Sequence, residues 1–349
     1  MVATAVGALG LTSSALAAYT PQFIVNHNPH NVASATTTIR IVVPRADEAT
    51  ARVVFYAPLG YAGVLGQAAG TQLGTVSAQV QALRISPDAV LPLTGTIVTA
   101  DPARYTSNPC SPGTHRAVWL LRLEAAGRTL EVPVYIDVPT GPEAGFASFR
   151  FIACLPSPHL PEESGGAAFG AKLLEANLQL QSGLLTTPTT AGRYVWPAIF
   201  TPWPAGPGLP NAAGTVQSRA VVQLPGQVTL RVRYNRARNT WTLTGSLTEN
   251  RVGVGGATVQ ISRGTRSNRL RAIRSVRTRA NGTFSITVSA RPRVRTFFRA
   301  RAAVPNRLNS TVGCSIAMPI PAVPGGCVSA VFSGYTAQST VVSARPPRR

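Results

Sequence analysis

Apolar and polar residues alternate with a period of two wherever the chain shows any period, the spacing of strands with one buried face. Ile39, Ile41 and Val43 share a face with Arg40 opposite, and Leu130, Val132, Val134 and Ile136 share a face from which Glu131 and Asp137 point away. The stretch LLEANLQLQ follows the same rule, with Leu174, Ala176, Leu178 and Leu180 set against Glu175, Asn177 and Gln179. It reads as a strand. Further runs (ARVVFYAP, TVSAQVQAL, AVWLLRLEA, FASFRFIA, RYVWPAIF) are divided by Gly, Pro and Ser clusters, and no long amphipathic helix is visible. The expected fold class is all-β, with two or three Ig-like β-sandwich domains in tandem.

The clearest alternation lies near the C-terminal end. Trp241, Leu243 and Leu247 alternate with Thr and Ser, then Ala257, Val259 and Ile261, then Phe284, Ile286 and Val288. Asn281-Gly282 separates RSVRTRA from TFSITVS, which predicts a hairpin with a type I′ turn. The strings TLTGSL, VGGATVQI, RTRANGTFSITV and RTFFRARA resemble the Ig-like modules of secreted and surface bacterial proteins, similar to carboxypeptidase-regulatory-like and collagen-adhesin B-type repeats. The resemblance spans residues 226–303 and implies a stalk, spacer or adhesive role without catalytic residues. Some members of that family crosslink Lys to Asn or Asp; this stretch has no Lys, so such a bond is excluded. The N-terminal region resembles exported actinobacterial proteins, a likeness that implies no activity.

Composition adds a division. The 31 Gly and 29 Pro of 349 residues fit many turns between short strands. The net charge of +21 is unevenly placed: residues 1–218 hold 11 basic and 11 acidic residues, whereas 219–349 hold 22 Arg against Glu249 alone. The Pro/Gly-rich stretch 201–214 marks the expected boundary between a neutral region, 19–205, and a basic module, 215–349. A softer break falls at 156–166. Within the basic module, residues 304–337 read as a loop pinned by a disulfide.

Residues 2–12 are apolar and lead to Ala15-Leu16-Ala17, so 1–17 reads as a signal peptide, although no basic residue precedes the apolar run. The mature chain is then expected outside the cell, at its surface or free, with no transmembrane segment. Four cysteines agree with export. Their three pairings remain open, though Cys110 with Cys154 and Cys314 with Cys327 keep each pair local. None has metal-ligand spacing, and no metal or cofactor is expected.

The Arg positions carry the candidate chemistry. Arg231 with Arg233, Arg277 with Arg279, and Arg293 with Arg295 repeat on single strand faces, and Phe297, Arg299 and Arg301 continue the last series with Phe298 opposite. Guanidinium groups beside an aromatic ring suit phosphate, sulfate or carboxylate polymers. Arg274 falls on the apolar parity of its strand, so a bulge is required there.

Other chemistry is thin. His27 and His30 lack a third ligand nearby; His115 and His159 stand alone; Glu162 and Glu163 sit in a loop. Trp196 and Trp203 read as packing at a domain junction rather than as a sugar platform. There is no G-x-S-x-G, HExxH, Walker or dinucleotide motif. The expected function is an exported, non-enzymatic structural or adhesive protein of the bacterial surface or matrix. The alternative is a secreted protein whose Arg face binds anionic envelope polysaccharide or extracellular DNA without specificity. A secreted hydrolase is a weaker second alternative.

Overall fold

The computed structural model describes residues 19–125, 127–290 and 294–346; the expected leader, 1–17, lies outside them. The chain first forms β1 (Gln22–Asn28), β2 (Thr36–Val42), β3 (Thr50–Pro58), β4 (Ala62–Gly63), β5 (Gln72–Ala82) and β6 (Val90–Ala100). It continues through β7 (Ala117–Ala125), β8 (Arg128–Asp137), β9 (Ala147–Cys154), β10 (Ala171–Leu180), β11 (Leu185–Thr186), β12 (Gly192–Pro202) and β13 (Val216–Leu224). Next come β14 (Gly226–Val228), β15 (Arg231–Asn235), β16 (Thr240–Glu249), β17 (Val252–Gly253), β18 (Thr258–Arg266), β19 (Arg269–Arg277), β20 (Thr283–Ser289) and β21 (Thr296–Val304). Then follow β22 (Arg307–Leu308), the short helix α1 (Ser310–Cys314), β23 (Cys327–Phe332), β24 (Tyr335–Gln338) and β25 (Val342–Ala344). The protein is all-β.

Thirteen strands join one large sheet in the order β1-β2-β10-β5-β6-β7-β8-β9-β3-β12-β13-β23-β22. Its inward parity supplies one continuous apolar core, in which Phe23, Trp119, Phe151, Trp196 and Phe200 are fully buried. The sheet curls until β1 lies against β13 and β23, and hydroxyl groups seal that seam. The Phe23 N–H donates to Ser218 Oγ at 3.0 Å, the Ser218 and Ser329 hydroxyls are 2.5 Å apart, and Ser329 Oγ donates to the Pro21 carbonyl at 2.7 Å. Small side chains there let the edge backbone find partners without a ladder.

The second assembly is a sandwich of two smaller sheets. One has the order β14-β16-β15, with β17 and β20 also on β16; the other runs β19-β18-β21-β24, with β25 on β21. Between them lie Trp241, Leu243, Leu247, Val259, Ile261 and Phe298, all essentially inaccessible. The disulfides are Cys110–Cys154 and Cys314–Cys327.

Several strand readings hold, including the opposed faces of Phe297 and Phe298 and β10 over LLEANLQLQ, except that a bulge between Leu173 and Glu175 puts Leu173 rather than Leu174 on the apolar face with Ala176 and Leu178. The bulge required near Arg274 is present: the β18–β19 register shifts between Ile261, opposite Arg274, and Ser262, opposite Ala272. Other readings need correction. Residues 201–214 join β12 to β13, which pair along their whole length, so this Pro/Gly stretch connects two strands of one sheet rather than separating two regions. The segment around 156–166 likewise links β9 and β10 of that same sheet. Within 304–337, Cys327–Phe332 is a strand, and it pairs in parallel with β13 of the large sheet. The chain therefore passes from the large sheet to the smaller sandwich, back, and across again, an interleaved order in place of a simple tandem.

Asn281-Gly282 is also a different turn from the one expected. β19 and β20 lie in opposite sheets of the smaller sandwich, so the segment crosses between layers instead of closing a hairpin. Only Gly282 takes a positive φ, +79°; a type I′ turn needs both residues there. A Cβ at Gly282 would sit 2.4 Å from the Leu247 carbonyl oxygen, so glycine is required by close approach as well.

Candidate anion-binding face

The outer face of the β19-β18-β21-β24 sheet collects the longest Arg series. Because β21 buries Phe298, Ala300 and Ala302, its other parity turns Phe297, Arg299 and Arg301 outward. Arg295, just before the strand, donates from its guanidinium to Ser343 Oγ at 3.0 Å and lies 5.3 Å from the Phe297 ring centroid. That cation–π contact holds the ring among the charges and half covers it. Arg301 stands in register between Gln260 on β18 and Gln338 on β24, while Arg299 stands opposite Ser262. Arg277 shares this face two strands away, opposite Thr258, and Arg279 follows it, exposed, in the turn. The neighbours are donors and acceptors without charge, so the guanidinium field on this face is not neutralised locally.

Arg231 and Arg233 are elsewhere. They project from β15 on the outer face of the other sheet, beside Thr244 and Thr242 of β16. The sequence series thus divides between two opposed faces, with Arg293 outside the described residues. Gln260 and Gln338 were not singled out from sequence; their outward parity was readable, but their alignment with Arg301 depends on register.

The missing counter-charge has a structural reason. Glu249, the one carboxylate after residue 218, is buried at the end of β16, where Arg307 donates to it at 2.6 Å and Gln223 at 3.0 Å. Burial pushes its pKa up, and the Arg307 guanidinium opposes that shift. It is spent inside a contact between the two assemblies. In the same contact the His30 ring stacks on Tyr335 at 4.6 Å and donates from Nε2 to the Gln223 carbonyl at 2.8 Å.

The side chains of three of the four histidines have hydrogen-bond partners among the described residues. His27 is buried, with Nδ1 3.0 Å from Thr37 Oγ1 and Nε2 2.9 Å from Tyr61 Oη, and desolvation lowers its pKa to about 3. His115 pairs through Nδ1 with Asp137 at 3.2 Å, a partner not foreseen from sequence, while Nε2 faces the Ser111 carbonyl at 3.1 Å. Both ring nitrogens are engaged with oxygen acceptors, so neither is free to serve a nucleophile. No group of three or more His, Cys, Asp or Glu among the described residues is arranged to hold a metal ion. Trp196 packs edge-on against Tyr61 inside the large core, and Trp203 Nε1 donates to the Leu155 carbonyl. Both are packing residues, within the large assembly rather than at a junction between regions.

Fold and face together define a disulfide-stapled all-β protein with an arginine-bearing sandwich sheet. No protein-family model matches the chain, and no curated protein does. Eleven chains of solved structures match. One is the crystal structure of a tetra-tandem repeat in the extending region of a large adhesion protein, 10% identical, covering 93% of this chain and 74% of that one, with a TM-score of 0.22. A superposition that loose adds nothing to the strand-by-strand description. Two disulfides fit an oxidising compartment, and no described helix is long and apolar enough to cross a membrane.

Proposed function

We propose that the chain is an exported, non-enzymatic adhesive protein of the bacterial surface or matrix, and that the outer face of the β19-β18-β21-β24 sheet is its adhesive surface for anionic polymers. The observation that carries this reading is the alignment of Arg295, Phe297, Arg299 and Arg301 on one face whose strand neighbours are uncharged. Arg forks bind phosphate, sulfate and carboxylate without strict spacing, and Phe297 offers an apolar plate between them. Such binding is of low specificity and strongly salt-dependent.

The test is retention on immobilised heparin and affinity for single-stranded DNA across a salt series. Changing Arg299 and Arg301 to Glu should lower the eluting salt concentration and reduce the slope of log K against log salt for single-stranded DNA by roughly 1.4. The same change at Arg231 and Arg233, on the opposite sheet, should have the smaller effect. Flow-through of the unaltered protein at low salt, or equal losses from both pairs, would sink the proposal.

A further inference from the structure

The large sheet does not fill its own interior. A cavity of about 460 Å³ lies between its curled halves, within the size range of small-molecule sites. Its walls are mainly aliphatic: Ile41, Val80, Leu123, Leu130, Val132 and Leu173 point into it from five different strands. Leu130, Val132, Leu173 and Ala176 sit at inward parity yet remain only half buried. Side chains placed inward and left partly open are lining, not core. A largely apolar cavity of this size takes up apolar guests.

The way in follows from register. β8 begins at Arg128, but its last pair with β9 is Val134 with Ala153. The edge of Thr129–Pro133 on that side therefore has no strand neighbour, and the gap between it and residues 153–156 opens the cavity. The β9–β10 connection crosses beside this gap, bringing Glu162, Gly166, Ala167 and Ala168 to the rim. Glu162 fastens it: Arg128 donates to Glu162 Oε2 at 2.9 Å, and Arg84 lies 3.9 Å from Oε1 while also donating to the Leu160 carbonyl. Two guanidinium groups thus share one carboxylate at the rim. These two guanidinium groups outnumber the one carboxylate they contact, beside a mostly aliphatic interior whose lining also includes Asn108, Thr129 and Glu131, the last paired with Arg122.

We infer that this cavity binds an amphiphile with a single aliphatic chain and an anionic head, the chain lying between the halves of the large sheet and the head meeting Arg84 and Arg128. The combination selects against other occupants. A sugar or nucleotide would leave its polar groups unpaired against Leu and Val. A neutral hydrocarbon would leave the spare guanidinium unused.

The test is displacement of a fluorescent fatty acid from the full chain, with hexadecanoate, hexadecan-1-ol and acetate as competitors. Hexadecanoate should displace the probe saturably, the alcohol more weakly, and acetate not at all. Ala176→Phe, which fills the cavity from β10, should weaken probe binding about tenfold or more with circular dichroism unchanged. Val132→Asp, at the half-open rim, provides a second variant should the first not fold, and should also weaken binding about tenfold. Absence of saturable binding, or unchanged affinity in a folded variant of either position, would overturn the site. Equal competition by acid and alcohol would overturn the anionic head. The outcome is independent of the heparin experiment, because Arg84 and Arg128 belong to the large assembly.

Discussion

Arginine obeys the same parity rule in both assemblies and arrives at different chemistry. In the large sheet several outward arginines meet carboxylates: Arg40 grips Glu175 on the neighbouring strand with two bonds of 2.8 and 2.9 Å, Arg122 pairs with Glu131, and Arg150 pairs with Asp137 and with Glu143 in the turn before β9. In the smaller sandwich the equivalent positions opposite Arg299 and Arg301 hold Ser and Gln. Position alone makes an arginine solvent-facing; what stands across the ladder decides whether it is a cross-strand tie or a source of field. Arg219 is a third case. Buried on β13 without a carboxylate, it donates to the carbonyls of Gly313, Cys314 and Ile316, so it clasps the end of α1 and the start of the Cys314–Cys327 loop.

The contrast can be broken most forcefully through the two cores. Trp241→Ala should cost about 3–5 kcal/mol, as should Trp196→Ala. If the cores are separate cooperative units, calorimetry will show each variant lowering a different transition. A single shared transition would mean that the interleaved strands weld them into one. Acid provides the next lever. All four histidines lie in the first 159 residues, and the buried His27, with an ordinary value of 6.5, is held near 3 by desolvation. Its neutral form therefore contributes stability that is complete above pH 6.5 and is lost as pH falls toward 3, at up to about 1.4 kcal/mol per pH unit. Glu249, raised by burial, works in the other direction, losing its contribution as pH rises. Thermal melts across this range should show the large assembly weakening first in acid, and His27→Gln should flatten that limb. The smallest effect sharpens the comparison most. Arg40→Ala should cost up to about 1 kcal/mol through its exposed pair, whereas Arg299→Ala should change stability by less than about 0.5 kcal/mol. Denaturant titrations measure both.

Much of the fold was legible because β-structure writes its parity directly into the sequence. Ile39 and Ile41, Leu178 and Leu180, Trp241 and Leu243 all bury the face that alternation assigned. The partner of each strand was not legible. Nothing in CVSAVF says that it joins a sheet begun three hundred residues earlier, and Pro-rich 201–214 looked like a boundary because local composition cannot distinguish a long connection within a sheet from a linker. Asn281-Gly282 misled for a related reason: the dipeptide favours a turn, but whether the following strand pairs or crosses to the other layer is settled by packing against Leu247 and Gly253. At the candidate face, parity revealed Arg299 and Arg301, while register placed Gln260 and Gln338 beside them. The cavity left no sequence signal, since its lining and a filled core use the same residues.

The return of β23 to the large sheet carries a consequence for biogenesis. As the chain emerges from its N-terminal end, the first 224 residues appear with β13 as an unpaired border, and the segment that covers it follows only after the whole of β14 to β21. Until then that border is open to other chains. A pause in that emergence between residues 224 and 327 would therefore leave the chain at its most aggregation-prone, and a chaperone acting on it would have its longest task there.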